Sequence, residues 1–451
     1  MTIKKNTKNK IPIFLFFEKK QIPTNLKKIK YDFPNNFIFK SEDKVYVFLD
    51  KICDLNKLQK NYFMFFIGQI LHNFCISGEY FIKFFGNSDF DESTFCLGWS
   101  LADYNFDKFK KTTKKTTSPI LYHSHKKKIN LEKQAYILIR DLINTPANIL
   151  GPNEIYQAAK NFLGKRFISK TITGFKLRDE FPLISAVGQG ASQEKKPLFC
   201  EISSRRRHKT KKKIFLIGKG VSFDTGGLNL KLGSGMSLMK KDMGGAANCI
   251  GLAKLIDSNN LNVDIRLLLC LVENSVSHNS IRPSDIFKSR SGKYVEISDT
   301  DAEGRLIMAD ALSYAGESGA DLIIDMATLT GASRVALGTD VPSFFCNDDN
   351  LSNDLLKASR DVGDPIWQLP LWENYEDQLE SNHADIKNIG NNGFGGAITA
   401  ALFLRKFVNR NIPWIHVDLM AWSKPNKLTK YNGGEAMGIR ALYSLIKKKF
   451  S

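Results

Sequence analysis

The chain has 451 residues, 43% of them apolar and 25% charged, ordinary globular usage that excludes wholesale disorder, a collagen-like repeat and a disulfide scaffold. At roughly 100–200 residues per domain, this length implies two or three domains with cores large enough to need no staples. Lys plus Arg number 65 against 46 for Asp plus Glu, a net charge of +19; that balance admits nucleic acid, an anionic membrane surface or an acidic substrate as partner, although A/T-rich coding, visible in the abundance of Lys, Asn, Ile and Phe, accounts for it more simply.

At the start of the chain, Lys4, Lys5, Lys8 and Lys10 precede an apolar run at 11–17. The layout imitates a secretion signal, but the run is short, holds Pro12, ends in Glu18-Lys19-Lys20 and is followed by no small-residue cleavage site. No apolar stretch approaches the ~20 residues that span a bilayer, so a cytoplasmic protein is expected. Seven scattered cysteines, odd in number and without a C-x-x-C pair, agree with a reducing compartment.

Residues 1–107 are dense in Phe, Ile and Lys, with short apolar runs at 45–49 and 80–85 and no cluster of carboxylates or His at ligand spacing. They read as a small N-terminal α/β domain without chemistry of its own. Residues 108–128, KFKKTTKKTTSPILYHSHKKK, read as a basic linker. A nucleic-acid arm is the sharper alternative, but little aromatic interleaving is present for base stacking. The remainder, 129–451, reads as a second, larger domain.

That remainder opens with a helical apolar period over 131–143, stopped by Asn144-Thr145-Pro146. A second basic run, 205–213, lies between apolar runs at 198–202 and 214–217, the placement of a solvated hairpin loop. Strands are then predicted at 214–217, 263–272, 321–327 and 414–419, and helices at 245–256, 304–314 and 397–408. The alternation predicts a larger domain with a mostly parallel sheet covered by helices, with its site in the loops at the carboxyl ends of the strands.

The notable residues fall in three such loops. GKGVSFDTGGLNLK (218–231) holds Lys219, Asp224 and Lys231; MKKDMGGAA places Asp242 just before an Ala-rich helix; SDTDAEGRL carries Asp301, Glu303 and Arg305. Four carboxylates brought together would repel unless cations sat between them. Two divalent ions would satisfy them, and oxygen donors without nearby His or Cys suit Zn²⁺, Mn²⁺ or Mg²⁺ in an active site better than a structural zinc. Asp301 and Glu303, two apart, would point the same way from an extended loop. Bland alternatives stay open: Asp242 as a helix cap, Lys219 as a surface lysine, Arg305 as a salt-bridge partner. A phosphate loop is excluded, because GKG is not followed by the required pattern.

GKGVSFDTGG, KKDMGGAAN and TDAEGRL, in this order, resemble the leucyl aminopeptidase (cytosol aminopeptidase) family of two-metal metallopeptidases. The likeness continues through LADYNFDKFK, RDLINTPANILGP, MATLTGASRVALG, WQLPLWENY, HADIKNIG, GGAITAALFLRKFV and WIHVDLMAW, covering about residues 100–445. Residues 1–100 match weakly, and YNGGEAMGIRAL (431–442) departs from the better-known members, as in a divergent subgroup.

The resemblance implies a metal-dependent aminopeptidase that removes the N-terminal residue of a peptide. By similarity, Asp224 and Glu303 touch both ions, Lys219 and Asp242 complete the tighter site, and Asp301 completes the exchangeable one. Lys231 and Arg305 match the two catalytic residues outside the ligand set, the first for the oxyanion, the second for a bicarbonate that moves a proton. Met239, Thr328 and Gly331 match the substrate pocket. Met420 falls where a small residue is expected and Asp299 where the family's signature has Asn. The family also implies a homohexamer. A non-peptidase two-metal hydrolase such as a phosphoesterase, and a nucleic-acid-binding protein using the basic surface, are the competing readings.

Overall fold

The apolar run beginning at Ile11 forms the central strand of a sheet. The computed structural model describes residues 10–32, 37–41, 43–86, 89–111, 118–205, 212–426, 428–429 and 431–450. They divide into two compact units. The first takes the chain up to Gln134 with Ser359–Asp364 and Lys424–Tyr431; the second takes the rest. No helix among the described residues is long and apolar enough to cross a membrane. All seven cysteines are free.

In the first unit, β1 (Ile11–Phe16), β2 (Ile38–Ser41), β3 (Lys44–Phe48), α1 (Lys57–Phe74), β4 (Glu79–Phe85), α2 (Glu92–Leu101) and β5 (Ile120–Tyr122) follow in order. The sheet runs β2-β3-β1-β4-β5, with β1 parallel to both its neighbours. Helix α1 starts on a capping box between Asn56 and Gln59. It meets α2 closely because both carry glycine at the crossing: a Cβ on Gly98 would lie 1.9 Å from the Phe65 carbonyl oxygen. The stretch 108–128 is not wholly a linker. It supplies β5, parallel to β4, and the start of α3 (Lys126–Asn144); its residues 112–117 lie outside the described residues. Helix α3 ends ahead of Pro146, as its apolar period predicts.

The second unit continues with α4 (Pro152–Leu163), β6 (Phe167–Ile172), α5 (Gly174–Glu180), α6 (Pro182–Gly188), β7 (Leu198–Ser204) and β8 (Lys212–Asp224). Then come α7 (Gly244–Ser258), β9 (Val263–Asn274), β10 (Ile286–Lys288), β11 (Tyr294–Glu296), α8 (Glu303–Glu317) and β12 (Leu322–Ala327). After these follow α9 (Gly331–Leu337), β13 (Ser343–Cys346), α10 (Asp349–Val362), β14 (Trp367–Gln368), β15 (Ile386–Lys387) and α11 (Gly396–Arg405). The chain closes with β16 (Trp414–Asp418), β17 (Trp422–Ser423), β18 (Gly433–Gly434) and α12 (Ile439–Phe450).

Eight strands make the main sheet, in the order β14-β13-β16-β12-β8-β9-β7-β6. Its middle four, β16, β12, β8 and β9, are mutually parallel; antiparallel pairings appear only toward the edges. Alternation along β8 buries Phe215 and Ile217 in a core with Leu306 and Leu312 of α8, while Gly218 lies under Ala246 of α7. Burial on both faces explains the unbroken apolar run at 214–217.

Two expectations need correction. The basic run 205–213 does not close a hairpin: β9 lies between β7 and β8, parallel to β8 and antiparallel to β7. A connection crossing over one strand looks like a hairpin loop when only the flanking apolar runs are read. Residues 206–211 themselves lie outside the described residues. Strand β8 also runs seven residues past Ile217, to Asp224. Gly218 and Gly220 pack by backbone against α7 and β9, and only Val221 of this end joins the apolar core, so the hydrophobic signal is broken after Ile217.

That packing depends on glycine. A Cβ on Gly245 would lie 2.0 Å from the Met326 carbonyl oxygen at the end of β12. Gly245→Ala is therefore expected to destabilise the protein by about 1–3 kcal/mol, the usual cost of overpacking, with activity reduced because the same helix end carries Asp242. Urea unfolding midpoints and peptide turnover of the two proteins check this.

Candidate active site

Strict alternation would send Lys219 and Asp224 to opposite faces of β8. Between Val221 and Asp224 the pairing with β9 slips, three steps on β8 matching two on β9. One extra residue turns the following side chains over, so both groups reach the same face. Asp224 Oδ1 accepts hydrogen bonds from Gly226 N at 2.9 Å and Asn274 Nδ2 at 2.8 Å. Asn274, at the end of β9, also donates to the Thr300 carbonyl at 3.1 Å.

Asp242 stands just before α7 but does not cap it; the cap position is Met243, and no side chain caps the helix. Its carboxylate instead faces the Lys219 ammonium at 2.8 Å and accepts a bond from Thr328 Oγ1 at 2.8 Å. Lys219 is not a surface lysine. It is buried, 2.8 Å from Glu303 Oε1, and donates to the Thr328 carbonyl at 3.1 Å.

The third segment is a turn rather than an extended loop, and Asp301 and Glu303 pair with different lysines. Glu303 is the first residue of α8 and faces Lys219. Asp301 is more exposed and pairs with Lys231, whose ammonium also lies 2.7 Å from Asp224 Oδ2. The turn is pinned by Asn388, whose Oδ1 accepts from Ser298 N and Asp299 N and whose Nδ2 donates to the Asp299 carbonyl. Thr300 ties it to the Gly226 carbonyl at 2.6 Å, and Asp299 receives the Asp301 N–H at 2.8 Å. Asn274, Thr300 and Asn388 are positioning residues that sequence reading missed. A single Asn or Thr carries no charge and no spacing to flag it.

The carboxylate oxygens of Asp224, Asp242 and Glu303 lie within 4.8 Å of one another, and all three residues are buried. This group could hold a cation. Burial and the Asp224 charge push the Glu303 carboxyl up to about 8, and the same two causes push Asp301 up to about 6. Burial opposes charge on Lys219 as well, but Asp242, Glu303 and Asp224 outweigh it and hold the ammonium above its usual range. Asp242 is also desolvated, yet Lys219 and Lys241 hold its carboxyl below the ordinary value.

Nine of the ten expected site residues line one cavity of about 540 Å³: Lys219, Asp224, Lys231, Met239, Asp242, Asp301, Arg305, Thr328 and Gly331. Glu303 is not part of its lining but belongs to the buried carboxylate group with Asp224 and Asp242. Asp299 also lines the cavity, whereas Met420 is buried and outside its lining. Arg305 is not a salt-bridge partner among the described residues. Its Nε and Nη1 are buried without a hydrogen-bond acceptor, and burial lowers the guanidinium to about 10.

Residues 137–443 match the model of the cytosol aminopeptidase family, catalytic domain. The chain belongs to the cytosol aminopeptidase family. It is 37% identical to a probable cytosol aminopeptidase of Prochlorococcus marinus (strain MIT 9215), over 81% of this chain and 77% of that protein. A probable cytosol aminopeptidase of Aquifex aeolicus (strain VF5) is 35% identical over 78% of this chain and 73% of its own. The crystal structure of cytosol aminopeptidase from Coxiella burnetii superposes with a TM-score of 0.87 at 36% identity, with 99% of both chains covered. The bottromycin maturation enzyme BotP in complex with Mn gives a TM-score of 0.85 at 25% identity, over 97% of this chain and 99% of BotP. As a member of this family the chain is an aminopeptidase, a hydrolase acting on peptides.

Proposed function

We propose that the protein removes the N-terminal residue of peptides at the cavity under Lys219 and Arg305, with two divalent ions as cofactors. The observation that carries this is the buried group Asp224, Asp242 and Glu303, three carboxylates within 4.8 Å. Two ammonium groups, Lys219 and Lys231, face them among the described residues. Buried carboxylates this close repel one another unless cations stand among them. Oxygen donors with one amine suit Zn²⁺ or Mn²⁺, with Mg²⁺ a third candidate.

Asp224 and Glu303 would be shared by the two ions, Lys219 and Asp242 would complete one site, and Asp301 the other. Lys219 would bind as the neutral amine, its proton displaced by the cations. What the ions supply when bound is Lewis acidity toward the scissile carbonyl and a water acidic enough to ionise near neutral pH. Lys231, paired with Asp224 and Asp301 at the cavity, would donate to the oxygen of a tetrahedral intermediate. Arg305 offers two unpartnered, buried N–H groups. A bicarbonate seated on them would satisfy both and stand ready to move a proton. Met239, Thr328 and Gly331 would receive the N-terminal side chain.

We assign this chemistry to the segment 129–451 and none to residues 1–107, and place the protein in the cytoplasm as a homohexamer. The test is release of leucine from a leucyl-dipeptide by metal-stripped protein, with and without added Mn²⁺ or Zn²⁺, beside Asp242→Asn. Metal-dependent release by the unaltered protein, lost in the variant, is expected. Equal release by stripped and loaded protein would overturn the two-ion reading.

A further inference from the structure

Two basic side chains in the cavity take no part in the chemistry above. Lys241, between the pocket residue Met239 and α7, is 2% exposed and lines the cavity. Its ammonium makes no hydrogen bond among the described residues, although it feels the charges of Asp242 and Asp418. Arg334 lines the same cavity from α9, one turn after Gly331, and its Nη2 lies 3.9 Å from where a Cβ on Gly331 would sit. Its buried Nη1 has no acceptor.

We infer that Arg334 and Lys241 make this a pocket for an acidic N-terminal residue, so that the preferred substrates are peptides beginning with Glu or Asp. The inference rests on the proposed aminopeptidase reading and names its substrate class.

The neighbouring carboxylates are already engaged. Asp242 is taken by Lys219 and Thr328. Asp418 accepts from Leu329 N, Thr330 N and Thr330 Oγ1. A leucine side chain entering here would strip water from the Arg334 guanidinium and return nothing to it. A carboxylate on the substrate would pair with it and with Lys241, and charge-assisted bonds of this kind are the strong ones. Guanidinium stays charged at any working pH, so Arg334 offers a positive charge to the substrate whatever the state of Lys241. The cations assigned to the reaction are others: Lys219 on Asp242 and Glu303, Lys231 on Asp224 and Asp301, and Arg305.

The test compares kcat/KM of the full-length, Mn²⁺-loaded protein on dipeptides beginning with Glu, Gln and Leu, with Arg334→Gln and Lys241→Met as separate variants. Thermal unfolding confirms which of them are folded, so that loss of one leaves the other to decide. Glu is expected to exceed its uncharged isostere Gln on the order of 10-fold or more, the value of a bond to a charged group. Each variant is expected to lower the Glu-to-Leu ratio by about the same factor. A wild-type preference for Leu or Gln over Glu would overturn the inference while leaving the aminopeptidase reading intact. So would variants that slow all three substrates equally, which is the result if a free anion rather than the substrate occupies the two cations. No turnover of any substrate by Mn²⁺-loaded protein would overturn both.

Discussion

Asp224→Asn is expected to lower kcat/KM for a leucyl-dipeptide by about 1,000-fold or more while the protein stays folded. Polarisation by bound ions contributes several kcal/mol of transition-state stabilisation, and each 1.36 kcal/mol is a decade in rate. Asp224 is the carboxylate on which the site converges. It receives Gly226 N and Asn274 Nδ2 on one oxygen and the Lys231 ammonium on the other. Asparagine can keep the first pair of bonds through its carbonyl oxygen. Its NH₂ would then face Lys231 and the ions, where a negative charge is required. Near-native circular dichroism, weakened Mn²⁺ binding and lost turnover are the expected results together. Turnover within tenfold of the unaltered protein would remove Asp224 from the proposed ligand set.

Lys231→Met should act differently. Loss of one donor to an oxyanion costs about 100- to 1,000-fold in kcat, and KM should change little because the interaction forms only as charge develops. Lys231 also stands between Asp224 and Asp301, so its removal could instead work through the metal. The two routes separate in a Mn²⁺ titration. If Lys231 serves the reaction, kcat stays low at saturating Mn²⁺. Recovery at high Mn²⁺ would assign it to holding the carboxylates apart.

Much of the main sheet was legible because its strands and helices are buried on wide faces and their apolar runs are long. The predicted strand at 263–272 and helix at 304–314 lie within β9 and α8, each extended by two or three residues at an end. Legibility ends where packing uses backbone in place of side chains. The end of β8 carries Gly218, Lys219 and Gly220 ahead of Val221, which breaks the hydrophobic run, yet it is a strand under α7. Legibility ends again where strand order is needed, since no residue between β7 and β8 records that β9 lies between them.

The same division runs through the site. By itself the sequence determined the identities and order of Lys219, Asp224, Lys231, Asp242, Asp301, Glu303 and Arg305, because unusual charges in glycine-rich loops stand out locally. Tertiary structure alone decided their roles toward one another. The slip in the β8–β9 register turned Asp224 to the side of Lys219. Thr328 and Lys219 drew Asp242 away from capping its helix. Asn274 and Asn388 tied three distant segments into one cavity. Lys241 and Arg334, 93 residues apart in the chain, became a pair only because α9 and the turn before α7 meet at that cavity. Whether a buried charge is compensated depends on every group packed around it, and that is a property of the fold rather than of any segment.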